Sequence, residues 1–399
     1  MWRGWRPQHG WSGRRARLVV LAAATALAVA AVVLVSVGGP ERHTVSARLP
    51  LLLAGLPARG AGAGLFLGGE NAWRPGRPPR PVAGLLSNGL SPLLPPGHAA
   101  DVDQLAPVPG GVIAHISDTS TDVTYGALGR VVFIPAANAS ARVIAWATMI
   151  AVSPDGQRVW VQTAVQSMAN GYGVPASFKS PTWAVDLTGR RVSPVLHLPL
   201  GLAGATESGP LTLNLVTGRV QRWNGATGQP IPINLPADAS FVAAGRDRVI
   251  WWSCRTSCLL HVTDLTAGTD AALALPRHWQ PPLRAYPPPP ASFDPAGQRL
   301  VLPLDRVDSA GNITAQSLFI AANGTLRETP GRLRLTPSAA ATHGVVLAGT
   351  WDRRGVLWAL ATNPDGGYYQ LGFWTGTGPL RTFPPAQGSP VTLSAPGPG

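Results

Sequence analysis

The stretch Ala151-Val-Ser-Pro-Asp-Gly-Gln-Arg-Val159 decides the fold, and residues 291–300, Ala-Ser-Phe-Asp-Pro-Ala-Gly-Gln-Arg-Leu, repeat its pattern. In both, an apolar segment runs into Pro, Asp and Gly and then directly into a second β-prone segment. Gly adopts a positive φ without strain, and Asp caps a tight turn with its side chain. Each stretch therefore predicts a strand, a turn and a second strand.

The same turn-to-strand pattern recurs along most of the chain. Its seven anchors begin at Ala63, Pro109, Asp155, Glu207, Arg246, Ala296 and Arg353. They recur about every 48 residues, which is close to the length of one four-stranded propeller blade. A second pattern follows several anchors. In it, apolar and polar residues alternate and are followed by Asp or Asn and then Gly, which predicts another hairpin. Two hairpins per repeat predict four strands in each blade.

We therefore expect an all-β fold, a seven-bladed β-propeller over residues 61–394 followed by a disordered tail at 395–399. The chain has 46 Gly and 41 Pro among 399 residues, which suits a protein rich in turns. Because 45% of the residues are hydrophobic and no Gly-x-y period is present, the composition excludes collagen-like and disordered classes.

The Ser-Pro-Asp-Gly segment at residues 153–156 resembles the strand-turn-strand repeat of TolB-like and YncE-like bacterial β-propellers. The resemblance implies a propeller used for binding proteins or ligands. It implies no catalytic residues, because the shared motif is a turn. We expect Asp155 and Asp294 to cap β-turns.

The N-terminal region predicts membrane attachment. Residues 1–17 contain five Arg and no acid, and residues 18–37 form an apolar run. A run of about 20 residues spans the bilayer as a helix, and the basic flank places the N-terminus in the cytoplasm. Residues 38–60 then form a linker to an extracytoplasmic domain at the cell membrane. A cleaved signal peptide is the alternative, although its apolar run is usually roughly 7 to 15 residues.

The charge balance excludes nucleic acid as a partner. The chain has 32 Lys and Arg against 19 Asp and Glu, a formal charge of +13. The N-terminal Arg residues orient the membrane helix, and the remaining basic residues are diffuse, whereas nucleic-acid binding needs a basic face interleaved with aromatic residues. We expect the membrane and an unidentified protein or cell-envelope ligand as partners.

Cys254 and Cys258 flank three residues between two strand-like segments. In an exported chain this arrangement predicts a disulfide. A structural zinc site needs four ligands, and only His261 offers a third. A redox role would need Cys-x-x-Cys spacing.

The sequence predicts no catalytic residue, metal or cofactor. Calcium loops have fixed spacing, which the acids at Asp101, Asp103, Asp118 and Asp122 do not match. The Gly-rich run at residues 60–64 lacks a following helix and is not a phosphate loop. We expect structural roles for the strand-like histidines His115, His197 and His261.

Two insertions, at residues 166–179 and 305–316, fall where the second and third strands of a blade would be joined. Such insertions collect on one rim of a repeat protein, which is often its binding face. The residues that we expect to bind are Met168, Asn170, Tyr172, Phe178, Lys179, Asp305, Asp308 and Asn312. Ordinary variable loops are the alternative.

These observations predict a membrane-anchored extracytoplasmic propeller that acts as a non-catalytic interaction or ligand-binding module. A hydrolase or lyase with its site at the channel mouth is one alternative, and a structural envelope protein is another. Convergent His, Asp or Glu near the axis would favour the enzyme. An axis lined by Val, Ala and Gly would count against it.

Overall fold

The computed structural model describes residues 66–69, 100–118, 129–135, 141–163, 179–199, 201–214, 219–236, 238–254, 258–282, 292–310, 312–331, 333, 346–363, 368–387 and 390–395. The predicted cytoplasmic segment, membrane helix and linker, residues 1–60, lie outside these ranges. Within the described ranges, no helix has the length and apolar character needed to cross a membrane.

The described residues form strands β1 to β28 in antiparallel sheets. The first strand, β1 (Phe66–Gly69), pairs with the last, β28 (Pro390–Ser394). Blade 1 contains β2 (Ala100–Val108), β3 (Gly111–Asp118), β4 (Gly129–Pro135) and β5 (Arg142–Ala147). Blade 2 contains β6 (Met149–Val152), β7 (Arg158–Gln162), β8 (Lys179–Asp186) and β9 (Leu196–Pro199).

Blade 3 contains β10 (Leu202–Thr206), β11 (Gly209–Leu213), β12 (Val220–Trp223) and β13 (Pro230–Ile231). Blade 4 contains β14 (Ser240–Gly245), β15 (Arg248–Cys254), β16 (Cys258–Asp264) and β17 (Asp270–Ala274). Blade 5 contains β18 (Trp279–Gln280), β19 (Ser292–Phe293), β20 (Arg299–Val307), β21 (Ile313–Ala322) and β22 (Thr325–Glu328). Blade 6 contains β23 (Val346–Trp351), β24 (Leu357–Asn363), β25 (Tyr368–Trp374), β26 (Arg381–Thr382) and β27 (Ala386–Gln387).

The prediction of an all-β propeller is confirmed, but the predicted number of seven blades is wrong, because the described residues form six. The first anchor, at Ala63, leads into β1, which pairs with β28 in a two-stranded sheet. This sheet contacts β2 of blade 1 and β23 of blade 6. The first and last strands therefore join the two ends of the blade series, a pairing that no local turn motif encodes.

Small residues line the first strands of several blades. Consecutive first strands contact one another, as β6 does with β10 and β10 with β14, so these strands lie innermost. Their sequences include Leu-Ala-Gly-Ala-Thr in β10 and Ser-Phe-Val-Ala-Ala-Gly in β14. A Cβ at Gly204 would lie 2.7 Å from the Cβ of Ala244, so the close approach of these strands requires Gly.

The Ser-Pro-Asp-Gly turn has the expected structure in blade 2. Ser153 N–H donates to Arg158 O at 2.9 Å, Gly156 has a φ of 69°, and Asp155 Oδ1 accepts from Gln157 N–H at 3.0 Å. In blade 5, Asp294 Oδ1 accepts from Arg299 N–H at 2.9 Å. The prediction that Asp155 and Asp294 cap turns is confirmed.

The arginine that follows the first turn connects three of the blades to the next blade. Arg158 Nη2 donates to Glu207 O of blade 3 at 3.3 Å, and Arg299 Nη2 donates to Gly355 O of blade 6 at 3.3 Å. Arg248 Nη1 donates in the same way to Gly297 O of blade 5. The repeated sequence therefore specifies both a turn and a contact between blades.

Candidate functional site

The propeller presents two faces. The turn face carries the turns that join the first to the second strand and the third to the fourth strand of each blade, such as those at residues 153–157 and 187–190. The loop face carries the connections between second and third strands, such as residues 308–312. The two sets lie on opposite faces because neighbouring strands run antiparallel.

The first predicted binding insertion falls mostly outside the described residues. Met168, Asn170, Tyr172 and Phe178 lie there, and their predicted role stays a prediction. Lys179 is the first residue of β8, opposite Pro199, and its side chain is exposed on the loop face.

The second predicted insertion is an extended hairpin formed by β20 and β21. Both ends of this segment belong to the strands, because Asp305 pairs with Gln316 and Arg306 with Ala315. The binding role of Asp305, Asp308 and Asn312 stays a prediction. Asp308 Oδ1 accepts from Asn312 N–H at 2.8 Å, so these two residues build the turn at the hairpin tip. Burial raises the pKa of Asp305, and the hydrogen bond from Gln316 opposes that rise.

Cys254 and Cys258 form the predicted disulfide at directly opposed positions of β15 and β16. His261 is held elsewhere, because its Nδ1 lies 2.7 Å from Asp270 Oδ2 and its ring stacks on Trp251 with the centroids 3.7 Å apart. His115 Nε2 lies 2.9 Å from Ala147 O. His115 and His261 are thus built into the blades, as predicted, while His197 is exposed on β9.

The structure describes only the backbone of the acids Asp101, Asp103 and Asp118 in the predicted acid-rich segment. Asp101 pairs with Ser117, and Asp118 with Ala100, in the register of β2 and β3. The side chains of Asp101, Asp103 and Asp118, and all of Asp122, lie outside the described residues. Across the part of the chain that the structure describes, no group of three or more His, Cys, Asp or Glu side chains could hold a metal ion.

Sequence reasoning missed the most unusual turn, which connects β14 to β15. Gly245 pairs with Arg248, so Arg246 and Asp247 form a two-residue turn with φ values of 51° and 56°. The corresponding turn has a positive-φ Gly in four other blades, at Gly110, Gly156, Gly297 and Gly355. A non-Gly residue in this left-handed region costs of order 1 kcal/mol or more.

The strained turn contacts the blades on both sides. Asp247 Oδ1 accepts from Glu207 N–H of blade 3 at 2.7 Å, and Arg246 Nη1 donates to Pro295 O of blade 5 at 3.1 Å. Burial raises the pKa of Asp247, and the nearby carboxylates of Glu207 and Asp264 raise it further. Burial likewise lowers the pKa of Arg246.

We define the 207/247 junction as Glu207, Arg222, Arg246, Asp247 and Asp264. Glu207 is exposed, and Arg222 Nε is buried with no hydrogen-bond partner, although its Nη1 donates to Leu265 O at 3.3 Å. Asp264 is held by the turn, because Thr266 and Ala267 N–H donate to its Oδ1 at 2.9 and 2.8 Å. The junction thus brings three carboxyl groups and two guanidinium groups together at the turn face, where they can hydrogen-bond a polar partner.

One feature of the sequence could have indicated the turn at this junction. Arg-Asp-Arg stands at residues 246–248, where the other anchors supply Gly or Pro. Asp247 and its hydrogen-bond partner Glu207 are 40 residues apart in the chain, so this contact depends on the packing of adjacent blades.

The innermost strands themselves carry few reactive groups. Among the described residues, β6, β10, β14 and β23 contain no Asp, Glu, His, Cys, Lys or Arg. The first strand of blade 1, β2, differs from these four, because it contains Asp101 and Asp103.

No protein-family model matches the chain, and no curated protein matches it. Among solved structures, it is similar to the β-propeller domain of the trilobed protease from Pyrococcus furiosus, with a TM-score of 0.41 and 14% identity over 72% of this chain and 86% of that one. An acylaminoacyl peptidase gives a TM-score of 0.45 and 13% identity over 71% of this chain and only 45% of the peptidase. A dihydro-heme d1 dehydrogenase gives 0.41 and 15% identity over 88% and 79%. The propeller assignment itself rests on the strand order.

Proposed function

We propose that this chain is a membrane-anchored, extracytoplasmic β-propeller that binds a protein or cell-envelope ligand and is not an enzyme. The observation that carries the binding role is the strained Arg246–Asp247 turn at the 207/247 junction. Strained backbone persists where the surrounding structure enforces it, and it is concentrated at binding and catalytic sites. Here the side chains are charged, lie at the turn face of the channel, and adjoin the exposed Glu207.

The contacts between blades explain part of this turn, because Arg246 and Asp247 each make one hydrogen bond to a neighbouring blade. They do not explain why the exposed Glu207 carboxylate lies beside Asp247, whose pKa it raises in addition to the effect of burial. An incoming cationic or hydrogen-bonding group would offset the repulsion between these two carboxylates. Recognition of a polar partner therefore accounts for the arrangement more completely than the contacts between blades.

The non-catalytic assignment is supported by four first strands, β6, β10, β14 and β23, which contain no Asp, Glu, His, Cys, Lys or Arg. The first strand of blade 1, β2, contains Asp101 and Asp103 and does not add to this support. Asp294 and Asp352 on the same face are also engaged by backbone donors of their own turns.

A hydrolase or lyase remains the second candidate because of one observation. A carboxyl group with a raised pKa beside another carboxylate is the kind of pair that acid–base catalysis uses. The test is to assay envelope glycans and peptides with wild type, Glu207→Gln and Asp247→Asn. An activity present in wild type and lost in both variants would overturn the non-catalytic assignment.

Membrane anchoring and export rest on the Arg-rich and apolar segments of residues 1–37. Protease added to intact cells should degrade the propeller and leave a protected N-terminal fragment. A propeller that is degraded only after lysis would refute this topology, and a chain recovered without residues 1–37 would indicate a cleaved signal.

The binding role is tested by photo-crosslinking in intact cells. A photoreactive residue replaces Glu207, and the matched control replaces Thr227, which is exposed on the outer turn of the same blade and face. We expect a discrete crosslinked partner from position 207 that is weakened by Asp247→Asn, and none from position 227. Equal products from both positions, or none from position 207, would refute this site. A product insensitive to Asp247→Asn would also count against it.

A further inference from the structure

Asp305 is a buried carboxyl group outside the 207/247 junction, with only 3% of the residue exposed. It lies on β20 between Gln280 of β18 and Gln316 of β21 in the sheet register. Val301 on the same strand packs against Gly349 of blade 6, since a Cβ at Gly349 would lie 3.0 Å from Val301 Cγ2. Alternate residues of a strand share a face, so Asp305 also faces blade 6.

Only one of the two polar side-chain atoms of Gln316 has a hydrogen-bond partner. Its Nε2 donates to Asp305 Oδ1 at 2.5 Å, while its Oε1 is buried with no hydrogen-bond partner. By comparison, both polar side-chain atoms of the buried Gln162 have hydrogen-bond partners. Its Nε2 donates to Thr182 Oγ1 at 3.0 Å, and its Oε1 accepts from Gly201 N–H at 3.0 Å. Gln316 therefore lacks one hydrogen-bond donor.

An ionised Asp305 cannot supply that donor, because a carboxylate only accepts hydrogen bonds. A neutral carboxylic acid has one O–H donor and one C=O acceptor, which match the C=O acceptor and N–H donor of an amide. We propose that Asp305 keeps its proton in the folded protein and forms a cyclic acid–amide pair with Gln316. Asp305 Oδ2–H donates to Gln316 Oε1, and Gln316 Nε2–H donates to Asp305 Oδ1.

The surroundings favour the neutral acid. Burial raises the pKa of Asp305, and no charged group contributes to that rise. On its own hairpin, Arg306 is exposed and lies one residue away, on the opposite face of β20. The facing strands β23, β24 and β25 contain no Asp, Glu, Lys, Arg or His, and their titratable side chains are Tyr368 and Tyr369.

The acid–amide pair makes the hairpin sensitive to pH. When Asp305 ionises, its proton goes to solvent, and Gln316 Oε1 loses its donor. The pair lies at the base of the hairpin whose tip, Asp308 to Asn312, reaches the loop face. Raising the pH therefore weakens this hairpin, and lowering it strengthens the hairpin. This device is independent of the proposed binding role of the 207/247 junction.

The direct test is a pH titration of the side-chain carboxyl carbons of the full chain by NMR. The Asp305 signal is assigned by its absence in Asp305→Asn. We expect Asp305 to remain protonated at pH values where Asp308, identified by Asp308→Asn, has ionised. An Asp305 signal that titrates in the ordinary range of exposed aspartates, or below it, would overturn the proposal.

The stability test uses the same two variants. Asp305→Asn keeps a cyclic pair, because its Nδ2–H can donate to Gln316 Oε1 without titrating. Between the ordinary pKa and the raised pKa, the unfolding constant of the wild type should rise by up to about tenfold per pH unit relative to Asp305→Asn. Asp308→Asn should retain the wild-type dependence. Parallel pH curves for wild type and Asp305→Asn would refute the proton assignment.

Discussion

Replacing Arg299 should destabilise the propeller much more than replacing Arg158, although both residues end the same repeated motif. Arg299 Nε donates to Asp294 Oδ2 at 2.9 Å, Nη2 donates to Gly355 O at 3.3 Å, and the guanidinium lies 4.3 Å from the centre of the Trp351 ring. The side chain of Asp294 is only 5% exposed. Loss of Arg299 therefore leaves a buried carboxylate with backbone donors alone.

The magnitude follows from these contacts. A hydrogen bond to a charged group contributes about 2 kcal/mol, and the bond to a backbone carbonyl contributes about 1 kcal/mol. The contact with Trp351 adds about 1 kcal/mol. Because Gln298 N–H and residue 299 N–H still cap Asp294, we expect Arg299→Ala to cost about 3 kcal/mol in unfolding free energy.

Arg158 provides the matched control. Its side chain donates a hydrogen bond to Glu207 O at 3.3 Å in an exposed setting, so Arg158→Ala should cost about 1 kcal/mol or less. Arg299→Lys should fall between the two, because an ammonium cannot reproduce the forked contacts. Urea unfolding of the full chain, followed by tryptophan fluorescence, measures all three variants. Equal losses for Arg299→Ala and Arg158→Ala would refute this account of how the motif couples the blades.

Three further predictions concern other parts of the fold. Relative to the wild type, Asp247→Asn should become more stable as the pH rises above about 4. The pKa of Asp247 is raised in the folded protein, so the wild type loses stability over that range while the variant does not; unfolding measured at several pH values tests this. Gly204→Ala should cost roughly 1 to 3 kcal/mol, and adding Ala244→Gly should recover most of it in urea unfolding; failure of that rescue would contradict the predicted steric clash. Replacing both Cys254 and Cys258 with Ser should cost about 2 kcal/mol, whereas an unchanged unfolding midpoint would assign no stabilising role to the disulfide.

The repeated turns could be predicted from sequence because their determinants are local. Gly156 supplies a positive φ, and Asp155 and Asp294 accept hydrogen bonds from residues two to five positions away. The disulfide was predictable for a similar reason, since its two cysteines flank a single hairpin turn. The number of blades was not, because ring closure pairs Phe66 with Ser394 at opposite ends of the chain.

The candidate site was less predictable than the fold. Strain at Arg246 and Asp247 is a property of backbone angles, and the contact with Glu207 arises only when blades 3 and 4 pack. Asp305 was selected from sequence as a binding residue within an insertion, but β20 extends through it, and Leu304 and Asp305 are both buried. A polar residue inside an insertion can therefore belong to a lengthened strand, and the identity of its cross-strand partner decides its chemistry.

Several of the arginines that make the chain basic form contacts between blades. Arg158, Arg248 and Arg299 donate to the turn of the next blade, and Arg142 Nε donates to Leu187 O of the next blade at 2.8 Å. A guanidinium suits these positions because it donates in several directions and also stacks on aromatic rings, as Arg248 does on Phe293 with 5.2 Å to the ring centre. Part of the positive charge therefore contributes to contacts between blades. A search for the partner should begin at Glu207 and Asp247, whose carboxyl groups lie close enough for Glu207 to raise the pKa of Asp247.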